Sequence, residues 1–530
     1  MQKGSVVQTR RMSNRSIADF GAAGDGVTLN TEAFRRTVAA VVAEGGGTVY
    51  VPAGTWLTGT VFLESKVCLE LHPSAVILGS PRLSDYHEGK RGQHGDRSPW
   101  HLIVADGKHD VTIRGGTIDG NGPAFWEPCR PGPVSDPDRV VPPGAYRGWD
   151  AIHVVPARQP DDAKAVISWI KHVDNRRPSP MVEITGCRNV RIQDVHITNS
   201  AGWLLHTHNT KHLWITGVLL TSNLMGPNND GFDITGCQDV VVSDCNLSCC
   251  DDGICLKTTP DALPVERVTI NNCTVRSRCA AIKFGCVESY HDFRQVTISN
   301  CVVHESNRAI AIYSKCGATI EDVAISNIVC DTRAPFMASR PIHIECKEEK
   351  CSQGEVKGIG RIRNVQISNV ICRTEGRILL VGDPRSPLRN VVLRDVRVTY
   401  PTVDDPAICF DAMPCGQFCK EHADARTARA VVVAKHAEGL VIDNLAVDWP
   451  ATDAAGTMLV PPEWRFDLKA ANGGYDYYPR EKFNTGAIPD FALVWGRGLR
   501  GGYLRMPLAA PPRPGIEACQ LDRVSDIRIA

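Results

Sequence analysis

Three carboxylates in one stretch of this chain have the spacing of a reacting site. The segment from Asn228 to Thr258, NNDGFDITGCQDVVVSDCNLSCCDDGICLKT, holds Asp230 and, 21 residues after it, the adjacent pair Asp251 and Asp252. That interval is about one coil of a β-solenoid, so the chain returns to the same edge of the stack. Carboxylates gathered in this way split their own pKa values, because like charges resist joint ionisation. One keeps a proton while another stays ionised. An acid and a base facing one cleft is what hydrolysis of a glycosidic bond requires.

The elements that would position these groups form a repeat. Its unit is a short strand of alternating apolar residues, a turn with Asn, Asp or Gly, and a second short strand. Copies begin at 111 (VTIRGGTI), 190 (VRIQDVHI), 213 (LWITGVLL), 240 (VVVSDCNL), 268 (VTINNCTV), 296 (VTISNCVV), 323 (VAISNIVC), 365 (VQISNVIC) and 391 (VVLRDVRV), with weaker ones at 440 and 499. Parallel strands joined by such turns wind into an all-β fold, a parallel β-helix. Period-2 alternation assigns the faces. Phe232, Ile254, Ile282 and Ile310 stack inward, as do Leu256, Phe284 and Ile312. Asp233, Cys255, Lys283 and Ala311 form an outward column, and Lys257, Gly285 and Tyr313 another. Asn272, Asn300, Asn327 and Asn369 share one phase, which suits an asparagine ladder between coils. Cys245, Cys273 and Cys301, 28 residues apart, fit an internal stack of small apolar side chains.

Upstream, Thr31–Glu44 has helical spacing at Ala33, Phe34, Val38, Val41 and Val42, and Gly45-Gly46-Gly47 ends it. A lone amphipathic helix at the start of a solenoid is expected to cap its open hydrophobic end. The chain therefore divides into a cap with first coils (1–105), a β-helix carrying the site (106–450), and a long loop with last coils of the same solenoid (451–530).

Composition bounds the rest. Of 530 residues, 43% are hydrophobic, and 59 Lys and Arg balance 59 Asp and Glu. Nothing in that balance points to nucleic acid or an anionic membrane as partner, and no apolar run is long enough to span a bilayer. The basic start MQKGSVVQTRRMSNRS lacks the apolar core of a signal peptide. The expected location is cytoplasmic if Met1 is the native start, and secreted or periplasmic if a leader has been removed. Cys409, Cys415, Cys419 and His422 are spaced loosely like zinc ligands, but free thiols or a loop disulfide fit the insertion better. Trp126, Trp149, Trp203 and Tyr290 are candidates for stacking on sugar rings.

Read in order, IADFGAAGDGVTLNT, GGGTVYVPAGTWLTGTVFL, TIDGNGPAFW, GWLLH, NNDGFDI and CDDGICLKT resemble glycoside hydrolase family 28, the polygalacturonase and rhamnogalacturonase group. The likeness covers about residues 16–400. It implies a right-handed β-helix and inverting hydrolysis of a pectin-like or other polysaccharide, with no metal or other cofactor. By that likeness Asp251 is the general acid, and Asp230 and Asp252 hold and deprotonate the attacking water. Two positions depart from the family pattern. Ala280 stands where the family has a histidine, and Ala311 and Tyr313 replace the basic pair that binds a uronate carboxylate. Plain polygalacturonate is therefore not the expected best substrate. Lys283 is placed to supply a replacement cation, and His206, Asp233, Lys257, Glu288 and Tyr313 complete the expected carbohydrate-binding set. A polysaccharide lyase and a non-catalytic carbohydrate-binding β-helix are the alternatives.

Overall fold

In the computed structural model, which describes residues 13–89, 98–125, 127–128, 169–170, 176–224, 228–333, 339–349, 355–406, 423–464 and 486–530, the chain is a right-handed parallel β-helix. Its large sheet has 33 strands among the described residues, and each strand pairs with its counterpart one coil on. No helix among the described residues is long and apolar enough to cross a membrane.

One face carries the site, and we number its strands in chain order. They are β1 (Ile103–Asp106), β2 (Val182–Thr185), β3 (Leu205–His208), β4 (Phe232–Thr235), β5 (Ile254–Thr258), β6 (Ala280–Ser289), β7 (Arg308–Ser314), β8 (Arg340–Cys346), β9 (Ile378–Val381), β10 (Ala430–Asp448) and β11 (Ala492–Arg505). Each pairs with the next in parallel. Register follows from the alternation: Phe232, Ile254, Ile282 and Ile310 are partners in turn, all fully buried in the central core. Cys245, Cys273 and Cys301 lie in the same core.

The bends on another edge are made by residues in the left-handed region, among them Asn272, Asn300, Asn327 and Asn369, with φ between 51° and 57°. Asn tolerates that conformation better than branched residues do. Asn327 donates to Asn300 at 2.9 Å and Asn369 to Asn327 at 2.7 Å, while Asn272 donates to Asp244 at 3.3 Å.

Helix α1 (Thr31–Ala43) caps the first coils, burying Ala33, Phe34, Thr37, Val38 and Val41. Val42, expected on the same face, is 40% exposed. It follows Val41 by about 100° of helical rotation, which turns it away from the core.

Candidate active site

The three aspartates meet because of register. Asp230 and Asp252 each stand two residues before a paired strand residue, Phe232 and Ile254. The backbone closes the stack: Gly231 N donates to Asp252 O at 2.8 Å, and Gly253 N to Ala280 O at 2.8 Å. Coils approach so closely here that a Cβ on Gly231 would lie 2.4 Å from Gly253 O, and one on Gly253 2.5 Å from Ala281 O. The glycine after each aspartate is thus a packing requirement. Adjacent coils are about 4.8 Å apart, so Asp230 sits one coil from the Asp251–Asp252 pair.

Each of two aspartates has its own lysine. Lys257 Nζ lies 3.2 Å from Asp230 Oδ2 and 2.6 Å from Asp233 Oδ1, with the face of Trp203 at 3.7 Å on another side. Lys283 is ion-paired with Asp252, whose other oxygen accepts from Ala280 N at 3.2 Å. Asp251 Oδ1 accepts from Asp252 N at 2.9 Å. Asp230, Asp251 and Asp252 are 4%, 5% and 3% exposed, so solvent screens them little.

That surrounding splits their proton affinities. Burial, and after it the charge of Asp252, push Asp251 above the ordinary carboxylate value. At Asp252 burial acts in the same direction, but Lys283, Arg308 and Lys257 together outweigh it and hold its pKa below that value. Asp230 is raised by burial and by Asp233, against the pull of Lys257. Asp233 is pushed up to about 7, chiefly by burial. Asp230 and Asp233 share one ammonium, so a single proton on the pair leaves the group neutral.

The other expected residues fall around this centre. His206 is held on both ring nitrogens, Nδ1 at 2.6 Å from Glu183 and Nε2 at 3.0 Å from Thr235 Oγ1. Glu288 is buried within the field of Lys257 and Lys283. The hydroxyl of Tyr313 lies 3.3 Å from Arg308 Nη1 and 2.9 Å from His343 Nδ1. Of the aromatic candidates, Trp203 covers Lys257 and Tyr290 is buried. Trp126 and Trp149 lie outside the described residues, as do Cys409, Cys415, Cys419 and His422.

Sequence reasoning missed Arg308 and Arg340. They are register partners of Ala280 on the next two coils. Arg308 Nη2 reaches 2.6 Å from Cys279 Sγ, and its charge acts on Asp252. Arg340 Nη1 lies 3.3 Å from His343 Nδ1. The small side chain of Ala280 below two long cations was the available signal. The outer face therefore regains positive charge that the replacements at Ala311 and Tyr313 remove.

Comparison with known proteins agrees with this geometry. The family model described as Glycosyl hydrolases family 28 matches residues 168–416, and one described as Rhamnogalacturonase A/epimerase, pectate lyase-like, matches 14–79. A probable polygalacturonase of Vitis vinifera is 26% identical over 344 residues, 61% of this chain and 62% of that protein. An exo-poly-alpha-D-galacturonosidase of Dickeya chrysanthemi is 28% identical over 256 residues, 45% of this chain and 41% of that protein. The matches thus span under two thirds of either relative. Among solved structures, a hyperthermoactive exopolygalacturonase from Thermotoga maritima superposes with a TM-score of 0.60 at 20% identity, covering 82% of this chain and 92% of that one. With its parallel coils and a family match that spans the aspartate-bearing strands, this chain is similar to glycoside hydrolase family 28 over that stretch, a little under half of its length.

Proposed function

We propose that the protein hydrolyses O-glycosyl bonds in an acidic, pectin-like polysaccharide by single displacement with inversion. The observation that carries this reading is the stacking of Asp230 one coil from the Asp251–Asp252 pair, with Lys283 and Ala280 N on Asp252; burial raises the Asp251 pKa, while the neighbouring cations lower that of Asp252. Asp251 keeps its proton where an ordinary carboxyl has lost it, which suits a general acid. Asp252, ionised beside Lys283, suits the base. Asp251 gives its proton to the leaving glycosidic oxygen as the bond from the anomeric carbon breaks. Water adds to that carbon from the opposite side and yields a proton to Asp252, with Asp230 helping to hold the water. The relatives named as polygalacturonases support a pectic substrate. Lys283, Arg308 and Arg340 support an acidic one, and His206 and Glu288 remain carbohydrate-contact candidates at its edge.

The test has two stages. Reducing-sugar release over a panel of plant and algal polysaccharides is expected to single out an acidic glycan. Proton NMR of the first-formed product is then expected to show the inverted anomer. A retained anomer would refute single displacement, and no release from any glycan would refute the hydrolase reading.

A further inference from the structure

Beyond the aspartates the outer face changes character twice. On β7 and β8 it is cationic. Arg308, Lys315, Arg340 and Lys347 stand around Tyr313 and His343, and the carboxylates among them in the described residues are Glu345 and Glu349. Lys315 and Lys347 both lie on Glu349, at 2.9 and 3.3 Å. Burial, and then the charges of Arg340, Arg308, Lys315 and Lys347, drive the pKa of His343 far down, so its imidazole stays neutral.

On β9 to β11 the same face is apolar and covered. Leu379, Val381 and Val433 pack with Ala430 and Ala492 beneath Ala425 and Ala428, with Trp495 at the margin. This cluster is separate from the solenoid core. Its lid is the short helix α2 (Ala423–Thr427) and the residues just after it. Three sets of bonds tie the lid down. Arg377 donates to the carbonyls of Ala425, Arg426 and Ala428. Lys435 and Arg497 hold Asp424 at 2.7 and 2.8 Å. Arg429 pairs with Asp405 at 2.6 Å.

We infer that the cleft is a dead end with a cationic wall, and that the protein removes short acidic fragments from a chain end. The inference rests on the hydrolase reading above. A polymer cleaved internally must continue in both directions from Asp251 and Asp252 along the sheet face. In one direction it meets the packed cluster on β9. Four coil spacings separate β5 from β9, about 19 Å, which leaves room for a short oligosaccharide and no more. A chain terminus lodged there lies over Arg308 and Arg340, whose planar forks match carboxylate or sulfate.

The experiment follows products over time from polygalacturonate, rhamnogalacturonan, a sulfated algal galactan and their neutral counterparts, each also as an end-labelled oligosaccharide series. The expected result is one short acidic product of constant size, released from one end from the earliest time, with viscosity falling slowly. Mixed internal fragments at early times would overturn the dead end while leaving hydrolysis intact. Preference for the neutral counterparts would overturn the cationic wall. Hydrolysis of no glycan would instead remove the functional reading on which the inference rests. Arg340→Gln is expected to raise KM on the acidic substrate about tenfold, one charge-assisted contact, with kcat changed far less. A folded variant with unchanged KM removes Arg340 from the wall, and the wild-type product series stands whether or not that variant folds.

Discussion

Two edges of this solenoid stack polar side chains one coil apart, and they do opposite things with the same geometry. On the exposed edge Asn300, Asn327 and Asn369 stack amide on amide, Asn369 donating to Asn327 and Asn327 to Asn300 on the coil before it. Every group is neutral, and each amide is donor and acceptor at once. On the other edge Asp230 stacks on the Asp251–Asp252 coil in a nearly closed environment. A carboxylate stack cannot satisfy itself, since each ionised member only accepts. It needs protons or cations, and the site holds both. Lys257 serves Asp230 and Asp233, and Lys283 serves Asp252. Repetition alone therefore yields adhesion between coils. Repetition with burial and charge yields groups whose protonation states differ.

The largest break in this contrast should come from Asp251, the proposed acid. Asp251→Asn retains the shape and removes the proton. A positioned general acid or base contributes about 10²–10⁴-fold, so kcat should fall by that order while the circular dichroism spectrum and melting temperature stay near wild type. A folded variant that turns over at the wild-type rate would remove Asp251 from the chemistry. Collapse of the fold would show that the aspartate stack is structural, as the asparagine stack is.

Next in size is the loss of a lysine from the pair at Asp252. Lys283→Met leaves the carboxylate buried without its nearest cation. Burial, opposed then only by Arg308 and Lys257, raises the Asp252 pKa. The sign follows directly. In the proposed mechanism Asp252 is the base and must be ionised, and a higher pKa delays ionisation, so the acidic limb of kcat/KM should move to higher pH. The alkaline limb reports the protonated acid and should move less. The linked effect on stability has the same sign. A depressed Asp252 stabilises the fold above the unfolded aspartate value, near 3.9, and that stabilisation is lost as pH falls through the folded value. The variant should therefore melt below wild type at neutral pH, and the difference should shrink as pH falls through the aspartate range. An unmoved acidic limb would mean that Lys283 does not set the state of Asp252.

Much of this was legible in the sequence. Period-2 alternation and the recurring Asn or Asp turn specify the solenoid, because a one-residue slip would turn every core residue outward. The interval from Asp230 to Asp251 specifies the aspartate stack for the same reason. Alternation assigns a face only within a strand, however. Arg308 and Arg340 stand at strand starts, where the chain leaves a bend, and their long side chains reach sideways over a neighbouring column. Reading columns 311 and 313 alone made the face look emptied of charge. Lys257 shows the converse limit. Its column places it on the outer face, yet only three-dimensional packing shows it engaged by Asp230, Asp233 and Trp203 together.

The smallest expected effect completes the comparison from the other edge. Asn327 both donates to Asn300 and accepts from Asn369, so Asn327→Ala removes two amide bonds from an exposed ladder. Each such bond contributes about 0.5–1.5 kcal/mol net, and water can replace part of that at an exposed site. Alanine also pays for the left-handed backbone at φ 57° that asparagine tolerates. The sum should lower stability by roughly 1–3 kcal/mol, read as a shift in the denaturant midpoint. Turnover by the folded fraction should not change, because Asn327 lies on an exposed bend of a different edge from the aspartates. Asn327→Gly separates the two terms. It relieves the backbone conformation at no steric cost yet still lacks the amide, so its loss beyond wild type measures the ladder alone. If Asn327→Gly is as stable as wild type, the ladder contributes nothing and asparagine is there only for its backbone. If kcat falls with the ladder, the two edges are mechanically coupled and the separation of adhesion from chemistry fails.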